Sequence, residues 1–330
     1  MVHLRIVAPP ESAEAVVESL CCSRSVIDVV HLPGVARRPE GDVITCDVAR
    51  EDASVVLDDL RGLGIYKTGS IVLQFVDAAL SDIAEDAERA AEGSPADAVV
   101  WEDVNEKTSE SAELSGVFLL FMLLAGLIAA VGIYLDSPIL VVGAMVVGPE
   151  FGPIAGFCVA LVERRPRLAW QSALALLVGF PLAIVAVYLC SLAFKATGVT
   201  PDSFSSADHS LSSTISNPDF LAFFVAFCAG VAGILSLSTT KSGALIGVLI
   251  SLTTIPAAAN IGVAAAYEDW DACSGSAAQL GLNLGAVLLA GTLTLGVQHR
   301  LYQRRRSHHH GAQERARRET TSKPLNAIKR

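Results

Sequence analysis

The sequence predicts a polytopic α-helical membrane protein with a small α+β domain at its front. Three observations predict it. The chain is 52% hydrophobic and 18% charged, with mean hydropathy +0.50, more apolar than a soluble domain and in keeping with a multi-span helical protein. After residue 113, six apolar stretches follow one another, each meeting the roughly 20 residues a bilayer requires. Before them, residues 2–77 alternate strand-like and helix-like patterns.

The front reads as follows. Val2–Ala8 is a strand, stopped by Pro9-Pro10, and Ser12–Cys21 is a helix with Ser12 as its cap. Val26–Leu32 is an apolar strand, Gly41-Asp42 a turn, and Val43–Val48 alternates as a strand does. Glu51–Leu63 is an amphipathic helix on Val55, Val56, Leu60 and Leu63, and Ser70–Val76 is a last strand. The order β-α-β-β-α-β is the ferredoxin-like arrangement, which hosts many activities and implies none. His3, His31 and the Cys21-Cys22 pair match no zinc spacing, so no metal is expected. Seven cysteines, three of them in apolar spans, predict no disulfide framework. Met1–Ala8 is too short for a signal-peptide core, which places the N-terminus in the cytoplasm. Residues 78–113 are acidic and form a linker near the membrane surface: a helix, a turn at Gly93-Ser94-Pro95, then an amphipathic lead-in through Trp101.

The six spans are Leu114–Leu135, Ser137–Val162, Leu168–Phe194, Phe220–Thr240, Ser242–Tyr267 and Ser274–Val297. Net charge is unevenly spread. Residues 1–113 carry 9 Lys+Arg against 23 Asp+Glu, residues 114–299 carry 5 against 9, and residues 300–330 carry 10 against 2. Arg164, Arg165, Arg167, Lys241 and Arg300 fall on one side, while the other holds Lys195 alone beside Asp136, Asp219, Glu268 and Asp271. The positive-inside rule puts both termini in the cytoplasm of a cell inner (plasma) membrane protein. The domains are therefore 1–77, the ferredoxin-like domain; 78–113, the linker; 114–299, the six spans; and 300–330, a basic disordered tail that fixes topology. The tail's basic run could instead hold an anionic headgroup or a nucleic acid.

The second span holds the chemistry. It contains one charge, Glu150, between Gly148-Pro149 and Gly152-Pro153. Two such pairs should break the helix near mid-membrane, and the freed backbone must face protein or a wet cavity. An acid at that depth is a functional candidate, able to hold a proton or pair a cation; the plainer alternative is a neutral carboxyl bonded for packing. The fifth span also begins at a Ser and has a proline, Pro256, in its middle. Each is the middle member of three, so the two sets lie inverted, and interrupted helices in corresponding positions point to a transporter site. Chance similarity among small residues is the alternative. Thr253, Thr254 and Asn260 beside Pro256, and Asn283 in the sixth span, either line a pathway or satisfy neighbouring backbone.

No hydrolase, metalloprotease, nucleotide-loop or C-x-x-C motif is present, so neither enzyme activity nor a cofactor is expected. At GAMVVGPEFGPIAGF and SGALIGVLISLTTIPAAANIGVA the chain resembles the bacterial and archaeal membrane family called domain of unknown function 389, over roughly residues 115–300. The resemblance implies a hydrophobic residue in many members where this chain has Glu150, which would confine any coupling role of Glu150 to a subgroup. The family name carries no activity. The expectation is a homo-oligomeric transporter or channel-like protein for a small solute or ion, without nucleic acid. Glu150, Pro149, Pro153, Thr253, Thr254, Pro256, Asn260 and Asn283 would lie along its pathway. The alternative is a membrane-anchored sensor or scaffold whose front domain binds a ligand or partner.

Overall fold

A computed structural model describes residues 1–76, 79, 81–91, 99–200, 209–238 and 254–322. The chain forms two compact units, 1–102 with 300–330, and 103–299.

The first unit is built on β1 (Val2–Ala8), α1 (Pro10–Cys21), β2 (Val26–Arg37), β3 (Glu40–Val48), α2 (Ala53–Gly62), α3 (Ile65–Thr68) and β4 (Ser70–Phe75). The sheet order is β2-β3-β1-β4 with every neighbour antiparallel, so the element order read from the sequence is present with one short helix added. Period-two alternation sends Leu4, Ile6, Ile44 and Cys46 into a core closed by Val16 and Leu20 of α1 and Val56 and Leu60 of α2. Two local expectations are corrected. Helix α1 starts at Pro10, whose missing N–H costs nothing in a first turn, so Ser12 lies inside it. The chain reverses at Arg38-Pro39, while Gly41 and Asp42 belong to β3. Pairing survives that far because β2 carries a bulge between Leu32 and Ala36, where Pro33 and Gly34 would weaken a regular strand. Asp42 holds the bulge, accepting from Gly34 N–H and pairing with His31 Nε2, each at 2.8 Å.

The linker has its expected helix and lead-in helix, and the turn expected at Gly93-Ser94-Pro95 lies outside the described residues. Helix α4 (Asp82–Ala90) buries Ala84 and Ala87. Helix α5 (Trp101–Ser111) begins with Trp101 buried and its N–H donated to Ser54 Oγ.

The second unit comprises α6 (Gly116–Tyr134), α7 (Pro138–Val147), α8 (Phe151–Val162), α9 (Pro166–Thr197), α10 (Ser210–Ser216), α11 (Phe220–Ser238), α12 (Thr254–Ala266) and the apolar part of α13 (Trp270–Ser322). Its core is largely small: Ala125, Ala129, Ala144, Ala175, Ala258 and Ala259, filled out by Met122, Ile133 and Ile255. Four helices are long and apolar enough to cross a membrane, or five if α7 and α8 count as one bent span. The six spans of the sequence reading reduce to these among the described residues. Residues 242–253 of the fifth expected span lie outside them, and α12 alone is too short to cross.

Helix α13 also corrects the tail. It continues to Ser322 where disorder was expected from residue 300, since Gln, Arg, Glu and Ala are good helix formers. Its basic part belongs to the first unit. Tyr302 donates to Asp58 at 2.7 Å, and Arg306 pairs with the same carboxylate at 3.2 Å.

Candidate functional site

Helix α7 ends at Val147 because Pro149 cannot donate to the turn before it. The chain passes through Gly148 and Pro149 in non-helical conformation and resumes as α8 at Phe151, bent by 51°. The second Gly-Pro pair makes no second break: Pro153 is the third residue of α8, where the N–H has no intrahelical acceptor to lose.

Glu150 sits at the bend as the residue leading into α8, and it is 1% exposed. Its Oε1 accepts from Thr254 Oγ1 at 2.8 Å. Its Oε2 has no hydrogen-bond partner among the described residues, and no ion pair involves it there. The backbone has made room for this carboxyl: a Cβ on Gly148 would overlap Glu150 Oε2 and come 2.8 Å from Ile255 Cγ1. The two spans singled out from the sequence therefore meet through Glu150 and Thr254. Thr253 lies outside the described residues, and Pro256 sits in the first turn of the described part of α12.

A pocket of about 410 Å³ reaches the bend from one side. Gly148, Pro149, Phe151 and Gly152 form its inner wall, Phe118 and Phe121 its apolar flank, and Lys107, Glu110 and Glu113 its polar rim. Glu150 does not line it. Gly148 stands at the pocket wall and against the carboxyl at once.

Asn260 and Asn283 are fully buried, and among the described residues Glu150 hydrogen-bonds to Thr254 rather than to either of them. Asn260 is the hub of a polar knot. Its Oδ1 accepts from Ser212 Oγ at 2.8 Å, and its Nδ2 donates to Ser276 Oγ at 2.8 Å and Ser216 Oγ at 3.0 Å. That satisfied amide ties α10, α12 and α13 together. Asn283 Oδ1 accepts from Gln279 Nε2 at 3.2 Å. The sequence reading missed Ser276 and Gln279. With Asn283 they recur at helical spacing along one face of α13, the one signal that could have found them.

The two histidines weighed as metal ligands in the front domain have carboxylate partners. His3 and His31 each bond an aspartate, Asp47 and Asp42, at 2.8 Å, and Cys21 and Cys22 are exposed. No group of three or more metal-ligating side chains occurs among the described residues.

Apolar helices of this length, packed through small residues around a bent pair, are those of a multi-pass helical membrane protein. The family resemblance read from the broken spans holds: the family model named domain of unknown function (DUF389) matches residues 145–289, from the end of α7 into α13. An uncharacterised protein of Methanocaldococcus jannaschii is 25% identical over 173 residues, 50% of this chain and 49% of the relative. The chain thus spans about half the length of the curated relative it matches. No solved structure matches.

Proposed function

We propose that the protein is a membrane transporter or channel-like protein for a small solute or ion, with its pathway at the α7–α8 bend. In this reading residues 242–266 supply a further broken span, giving six spans as two inverted sets of three. The chain assembles as a homo-oligomer in the plasma membrane with both termini cytoplasmic, and the ferredoxin-like domain gates or assembles the pathway. The observation that carries the proposal is Glu150: an acid closed off inside an apolar bundle, one oxygen unpartnered, one residue from a pocket. Such a group is costly to keep unless it is used, and irregular backbone at membrane depth belongs beside a cavity. The described conformation is closed at Glu150, so the reading requires a second one in which Gly148 no longer divides carboxyl from pocket. A sensor or scaffold with spans that only pack gives no reason for an unpartnered acid at the bend.

The test is proton-linked flux into proteoliposomes loaded with a pH-sensitive dye and driven by a potassium diffusion potential. Wild type should exceed empty liposomes, and Glu150→Gln should lose at least roughly ten-fold, about 1.4 kcal/mol. Equal flux from the two proteins overturns a coupling role for Glu150. Absence of flux under every imposed gradient overturns transport of protons.

A further inference from the structure

A second pocket of about 530 Å³ lies in the helical unit where α10 and the start of α11 face α13. Its volume is that of a small-molecule site. Asn217 and Asp219 stand at its exposed mouth, Gln279 is 5% exposed on α13, and Leu221 and Val225 supply an apolar side.

Several donors on this wall are already engaged inside the protein. Thr214 Oγ1 donates to Ser210 O at 2.8 Å, Asn217 Nδ2 to Ser213 O at 2.7 Å, and Gln279 Nε2 to Asn283 Oδ1 at 3.2 Å. Acceptors remain. Asp219 uses Oδ1 to cap the Ala222 N–H at 2.7 Å and has its second oxygen left, and Asn217 keeps its amide oxygen. Gln279 Oε1 is buried with no partner among the described residues. Among the described residues no Lys, Arg or His lines the pocket. A buried acceptor left unmet is costly, so the wall is complementary to a ligand that brings donors and one positive charge.

We propose that this pocket binds a primary ammonium group carried on a short carbon chain. The N–H donors go to Gln279 Oε1 and the Asp219 carboxylate, and the carbon chain lies against Leu221 and Val225. One carboxylate matches one positive charge, whereas a bare divalent ion would need about six oxygens and gain nothing from an apolar wall. The ammonium can be that of a dissolved amine or of an aminophospholipid headgroup. As a substrate site the pocket rests on the transport reading; as a binding site it does not, and the test therefore reads binding rather than flux.

The full chain in phosphatidylcholine nanodiscs is titrated with propylammonium chloride at constant ionic strength, following thermal stabilisation. Wild type should show a saturable shift, and tetramethylammonium, which has no N–H, and 1-propanol, which has no charge, should bind at least roughly ten-fold more weakly. Asp219→Asn, which keeps the capping oxygen, and Gln279→Leu should each weaken propylammonium roughly ten-fold, while Gln279→Glu should tighten it by a similar factor. A rightward shift of the titration in discs containing phosphatidylethanolamine assigns the site to the headgroup; an unchanged one assigns it to the dissolved amine. The proposal is overturned by no saturable binding in phosphatidylcholine discs, by propanol binding as well as propylammonium, or by affinity that neither Asp219→Asn nor Gln279→Glu moves.

Discussion

Single residues here carry roles that composition hides. Glu150 was legible because a lone charge between two Gly-Pro pairs is conspicuous in an apolar run, and its partner Thr254 was named from the corresponding span. Asn260 was legible as buried polarity but not as a hub, since Ser212, Ser216 and Ser276 come from elements distant in sequence and serine is unremarkable in a helix. Asn260→Leu should remove the amide's hydrogen bonds to Ser212, Ser216 and Ser276 and strand the Ser212 hydroxyl, while Ser216 keeps Ser212 O and Ser276 keeps Ser216 Oγ, at a cost of about 1–3 kcal/mol; thermal unfolding in nanodiscs checks it, and Asn260→Gln should not restore the loss, because the knot fixes the amide's reach. Asp42 makes a prediction in pH. The Gly34 N–H and then His31 hold its carboxyl below the ordinary value, so its contribution to stability is present above the unfolded carboxylate range and is lost as pH falls through the lowered value. Acid melts of the wild-type chain should therefore steepen in the first unit's transition below about pH 3.9, and Asp42→Asn should flatten that limb while lowering stability at neutral pH.

Among the elements, close approach decides what the sequence could not. Helix α8 carries Gly152 and Gly156 one turn apart, and the end of α5 packs on both. A Cβ on Gly152 would lie 2.6 Å from Ser111 Cβ and 2.7 Å from Ser111 O, and one on Gly156 would lie 2.9 Å from Ala112 Cβ. Spacing of this kind marks helix contact in membranes, but only the fold says that the partner is the lead-in helix, read from its charge as a surface linker. Gly152→Leu should push α5 off α8 and destabilise the helical unit by about 1–3 kcal/mol, whereas Leu at Gly143, which meets nothing within 4 Å, should be near neutral; paired melts decide it. The single break in α7–α8 teaches the same lesson. Both Gly-Pro pairs looked like breakers, yet a proline interrupts a helix only where an N–H was needed, and Pro153 stands in a first turn.

For the whole molecule, the division into an α+β unit and a helical unit was legible from hydropathy alone. The place of the basic segment was not, because its fate depends on the Asp58 carboxylate and the Ser54 carbonyl, both of which accept from the Tyr302 hydroxyl only in the fold. Each unit has its own core, so calorimetry should show two transitions. Leu4→Ala should lower only the first unit's, by about 2–5 kcal/mol, and Met122→Ala only the other's by a similar amount; movement of both together would contradict separate cores. The central claim is that water reaches the acid at the α7–α8 bend. Its most direct measurement is aqueous thiosulfonate labelling of Glu150→Cys, in a chain whose seven cysteines are replaced by alanine, with Glu113→Cys at the pocket rim as reference. Labelling of both, slower at position 150 and from the same side of the membrane, is the predicted result; full labelling at 113 with none at 150 from either side would contradict it.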